Sequence, residues 1–70
     1  MSALEIINKL KSARGDAMLW INYDRKEAAL HPGYRHEYAV NVPFADAMMA
    51  RTDPALDIIQ KTQDGELFTA

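Results

Sequence analysis

The run "MLWINYDRKEAALHPG", residues 18 to 33, decides the fold, because its middle can be read in two ways. Asp24 followed three residues later by Glu27 has the spacing of a helix cap, and Pro32-Gly33 would then end a short helix. Alternatively "DRKE" is a polar turn and "AALH" a second strand. Turn and strand are preferred. After a segment ending in "INYD" a four-residue turn is a common hairpin connection, whereas an isolated helix of about six or seven residues is marginal in water.

Immediately upstream the period is that of a strand. Leu19, Ile21 and Tyr23 share one face, and Met18, Trp20, Asn22 and Asp24 share the other. Large apolar groups on both faces mark a strand that is central, or covered by a helix on one side and by a partner on the other. Further upstream, Ser2 and Glu5 have capping-box spacing, and Leu4, Ile6, Ile7, Leu10 and Ala13 recur at helical intervals. Lys9 lies four residues after Glu5 for an ion pair, Lys11 and Arg14 suit the C-terminal end of the dipole, and Gly15 can stop the helix. A helix over residues 3 to 14 follows.

Downstream, "YRHEYAVNV" alternates, with Tyr34, His36, Tyr38, Val40 and Val42 on one face and Arg35, Glu37, Ala39 and Asn41 on the other. Pro43 ends this strand and opens "PFADAMMAR" as a short helix, with Phe44, Ala47 and Met48 inward and Asp46 and Arg51 toward water. "TDPALDIIQKT" reads as another helix, capped by Thr52 or Asp53 with Pro54 in its first turn and Leu56, Ile58 and Ile59 inward. "QDG" is a turn, and "ELFTA" is an edge strand or a frayed tail. The expected architecture is α+β in two layers: an N-terminal helix, a two- or three-stranded antiparallel sheet and C-terminal helical segments. Its expected core is Leu4, Ile7, Leu10, Leu19, Ile21, Val40, Val42, Leu56 and Ile59.

The 70 residues, read as one domain over 1–70, include 22 large apolar side chains besides Met1, enough for one thin core. With no cysteine, no disulfide can reinforce it, and association with a partner or a second copy is the remaining support. Hydrophobic content of 49% with a net charge of −2 argues against disorder. The longest apolar run is "AMLWI", far too short for a membrane span, and the first residues lack the pattern of a signal peptide. A cytoplasmic location is expected. Residues 1 to 36 hold six basic and four acidic side chains, and residues 37 to 70 hold two and six, so the halves carry +2 and −4. This mild asymmetry orients a partner but falls short of a typical nucleic-acid-binding domain.

Catalytic chemistry finds little to work with. There is no cysteine nucleophile, and Ser2 and Ser12 fall on the first helix, away from any base. Gly15, Gly33 and Gly65 are too far apart for a phosphate-cradling loop. Asp53 and Asp57 have helical spacing, but Asp53 serves better as a cap. His31 and His36 could approach each other across a hairpin, yet Glu37 lies on the opposite strand face, and two ligands do not make a metal site. No catalytic residue, metal or cofactor is expected.

Two binding readings remain. Lys9, Lys11, Arg14, Arg25, Lys26 and Arg35 accompany Trp20, Tyr23, Tyr34 and Tyr38, the mixture of cations and rings that grips unpaired nucleic acid. Asp16, Asp24, Glu27 and Glu37 are interleaved with them, which weakens that case. Protein contact is preferred. Met18, Trp20, Tyr34 and Tyr38 exceed what one helix layer hides, Met49 adds flexible apolar surface, and Arg25 and Lys26 form a basic turn beside them. The plainer alternative is that Met18 or Met49 fills a gap in the core. These seven residues are the expected partner-binding set of a non-catalytic module, a homodimer or a stoichiometric inhibitor. On size alone it is of the accessory kind found in phage and mobile elements.

Overall fold

The structure, a computed structural model, describes residues 1–13, 17–31 and 39–69, the side chains of residues 13, 58 and 59 excepted. The elements in order are helix α1 (Ala3–Ala13), strands β1 (Met18–Asn22), β2 (Glu27–His31) and β3 (Val40–Val42), helix α2 (Phe44–Arg51), and strands β4 (Asp57–Lys61) and β5 (Glu66–Thr69). All five strands join one sheet in the order β3-β2-β1-β5-β4, with every neighbouring pair antiparallel. The α+β class is as the sequence indicates. The sheet is larger than the two or three strands expected.

The local reasons are visible in the chain. The Glu5 amide donates to Ser2 Oγ at 3.3 Å, and the Ile6 amide donates to the Ser2 carbonyl at 3.1 Å, so α1 starts where the capping box places it. The expected Glu5–Lys9 pair is not closed: among the described residues Lys61 and Glu66, 3.9 Å apart, form the only ion pair. Exposed helix pairs gain too little to hold two long side chains in place. Pro43 caps α2, accepting at its carbonyl the Ala47 amide. Arg14 and Gly15 lie outside the described residues.

The decisive run is turn and strand. Asn22 pairs with Glu27, leaving Tyr23 to Lys26 as a four-residue loop one position earlier than "DRKE" suggests. Asn22 closes it by accepting the Arg25 amide at Oδ1, 2.9 Å away, which explains how a buried amide side chain is tolerated at a strand end. Lys26 completes the loop with φ of 53°, a left-handed conformation that favours glycine. Lys26→Gly is therefore expected to raise the unfolding free energy by about 0.5–1 kcal/mol, read as a higher urea midpoint at unchanged m value. An unchanged or lower midpoint would contradict this account of the loop.

Three expectations need correction. "TDPALDIIQKT" is not a helix. The Ala55 amide donates to Asp53 Oδ1 at 2.8 Å and the Leu56 amide to the Asp53 carbonyl at 3.1 Å, which makes a single turn around Pro54, and the chain then extends as β4. The same Asp-Pro chemistry opens a helix or a turn. Here the β-branched pair Ile58-Ile59 and the following hairpin favour the strand. Asp53 and Asp57 accordingly share no helix face. Second, "ELFT", residues 66–69 of the expected edge or tail, is neither, since β5 lies between β1 and β4; Ala70 lies outside the described residues.

Third, the core is differently composed. It comprises Ile6, Leu10, Ala17, Leu19, Ile21, Ala28, Leu30, Val42, Ala47, Ala50 and Phe68, with Ile7, Phe44, Met48 and Leu56 partly buried against it. Leu4, two residues and about 200° of helical rotation from Ile6, is 66% exposed. Val40 is 38% exposed, whereas Val42, two residues on in the same edge strand, is buried. Leu19, Ile21, Ala28, Leu30, Val42 and Phe68 alternate onto the sheet face that α1 and α2 cover. Both helices lie on that face.

Candidate functional site

With both helices on one side, alternation turns Met18 and Trp20 of β1 to the other. Register extends this face into a row: Trp20 pairs with Ala29 on one flank and Leu67 on the other, Ala29 pairs with Asn41, and Leu67 with Gln60. One row thus crosses all five strands. Met18 stands opposite His31, and Asn22 opposite Glu27, on the same face. Met18, Trp20, His31 and Leu67 are half-buried, and Glu27, Asn41 and Gln60 are exposed. The middle of the face is apolar and its flanks are polar, the division seen in protein interfaces.

Within this face a groove of about 350 Å³ is lined by Trp20, Glu27, Ala28, Asn41 and Val42. Ala29, buried, pairs with Trp20 on one side and Asn41 on the other. On the other side of Trp20 the sheet closes tightly. A Cβ built on Gly65 would fall 2.9 Å from the indole Nε1 and 2.3 Å from the Ile21 carbonyl oxygen, so only glycine permits the β4–β5 turn to approach β1.

Of the expected partner-binding residues, the structure brings Met18 and Trp20 together on this face. Arg25 and Lys26 are exposed in the loop that follows β1. Met49 is 66% exposed on α2, across the sheet from Trp20. Tyr34 and Tyr38 lie outside the described residues, as do Arg35, His36 and Glu37. Leu67, Glu27, Ala29 and Asn41 were missed. Leu67 becomes visible only once β5 is known to be central.

A second cluster ties the covered face together at the end of β1. The Tyr23 hydroxyl donates to Glu66 Oε2 at 3.0 Å, and the ring meets Phe44 edge-on at 6.4 Å between centroids. Arg51, exposed as expected, also places its guanidinium 5.7 Å from the Tyr23 ring centre and 5.8 Å from that of Phe68. Partial burial, then the hydrogen bond to Glu66, push the Tyr23 phenol above its ordinary value, against the opposing charge of Arg51. A raised phenol contributes stability that is complete below pH about 10 and is lost as pH rises through the folded-state value. This cluster is structural. Among the described residues no three histidine or carboxylate side chains converge as metal ligands.

The arrangement defines a class by form: among the described residues, an α+β domain of five antiparallel strands, with two helices on one face and a partly apolar face opposite that no described helix covers. Comparison with protein-family models, with curated proteins and with solved structures finds no match. No helix among the described residues is long and apolar enough to cross a membrane.

Proposed function

We propose that this chain is a non-catalytic protein-binding module that works by stoichiometric occupation of a partner through the uncovered sheet face. The partner is a target protein or a second copy of the chain. The observation that carries this reading is the row Ala29–Trp20–Leu67 across the three central strands, with Met18 beside it, on the face without helices. Trp, Met and Tyr are the side chains enriched where partners anchor. Arg25 and Lys26, at the neighbouring loop, set orientation and association rate. A small accessory or inhibitor protein of phage or mobile-element type, acting in the cytoplasm, fits such a mode.

The test compares wild type with Trp20→Ala and Leu67→Asp variants that keep native circular dichroism. Light scattering at tens of micromolar and crosslinked capture from source-cell extract are expected to show a complex with wild type that both variants weaken at least about tenfold, the scale of losing one interface anchor. A complex indifferent to both substitutions, or a monomer that captures nothing, overturns the reading.

Nucleic acid is the alternative. Lys9 and Lys11 ride on α1, across the sheet from Trp20, so these two cations do not line one surface with the indole. An oligonucleotide titration at about 50 and 200 mM salt is expected to show no binding at either; affinity that falls steeply with salt would favour the alternative.

A further inference from the structure

We infer that the partner's anchor is a basic protein side chain, arginine foremost, seated in the groove between the Trp20 indole and the Glu27 carboxylate. The inference rests on the reading of the uncovered face as a docking surface, and it names the chemistry of what docks. Among the described residues the groove has an aromatic wall (Trp20), one carboxylate (Glu27) and one amide (Asn41), its floor runs along the chain at Ala28 and Val42, whose side chains turn to the covered face, and no described cation lines it. Among the described residues Glu27 has no ion-pair partner.

Three kinds of occupant can be compared. An anion would meet Glu27 as a like charge. An apolar side chain would cover the indole but strip water from the carboxylate without replacing its hydrogen bonds, which is costly. A guanidinium satisfies the whole lining. Its flat face stacks on the indole, its N–H groups donate to the carboxylate, and a remaining donor reaches the Asn41 side-chain oxygen. Lysine supplies the charge without the flat face.

Trp20 is the only tryptophan, so its fluorescence reports on the groove directly. The full chain is titrated with capped Gly-Arg-Gly, with its norleucine counterpart and with putrescine, following Trp20 emission and amide resonances. The arginine peptide is expected to shift Trp20, Glu27, Ala29 and Asn41 and to bind roughly tenfold tighter than the norleucine peptide. Glu27→Gln, at an exposed position, is expected to remove most of that difference. Equal binding of the norleucine peptide at these residues overturns the inference while leaving the docking face intact. Shifts confined to other residues also overturn it, and the docking face is then judged by the Trp20 and Leu67 variants alone. Putrescine binding as tightly as the peptide overturns the assignment to a protein side chain.

Discussion

Replacing Phe68 by alanine is expected to lower the unfolding free energy by about 3–5 kcal/mol, the cost of removing a large aromatic from a closed core. Phe68 is 2% exposed, pairs with Leu19 across the central seam and takes the Arg51 guanidinium near its ring. A 70-residue domain has roughly 4–10 kcal/mol in total, so the variant should be largely unfolded in mild urea. Urea titration followed by far-ultraviolet circular dichroism measures it. Leu4→Ala is the control: its side chain is mostly in water, and a change below about 0.5 kcal/mol is expected. Equal effects of the two substitutions would mean that β5 does not occupy the centre of the sheet.

The second large effect comes from adding a single methyl group. Gly65→Ala places a Cβ against the Ile21 carbonyl oxygen and the adjoining carbonyl carbon, 2.3 and 3.0 Å away, and neither can turn aside as a side chain would. Relief requires the turn to lift off β1, which strains Thr62 as well. The Thr62 amide donates to the Gly65 carbonyl at 2.7 Å, and its hydroxyl accepts the Gly65 amide at 3.0 Å. A loss of about 3 kcal/mol or more is expected, at the upper end of overpacking costs because backbone is the obstacle. Gln63→Ala in the same turn, where the side chain is exposed, should stay within about 0.5 kcal/mol. The two substitutions thus separate crowding at Gly65 from general sensitivity of the turn.

Much of this architecture can be read from local chemistry. Ser2 with Glu5 marks the start of α1, Pro43 marks the start of α2, and the alternation of Leu19 and Ile21 assigns their face, because each signal acts within a few residues of itself. The second hairpin is different. Asp53-Pro54 supports a turn as well as it supports a helix, and what decides between them is the pairing of β5 with β1, forty-odd residues away, which no local pattern encodes. The same long-range pairing governs the site: only with residues 57–61 as a strand is β5 central, and only then does Leu67 join the row beside Trp20. Trp20 itself was legible, because an indole opposite a buried Leu19–Ile21 face has nowhere apolar to go within two layers.

The sheet order carries a further consequence. Strands β1, β2 and β3 form one meander, β4 and β5 form one hairpin, and the pairing of β1 with β5 is the seam where the two join. Each unit presents an unsatisfied backbone edge and half of an apolar layer until the other arrives, so neither is a stable intermediate by itself. Folding of the chain is accordingly expected to be cooperative, with the closure of residues 19 to 68 as one of its entropic costs.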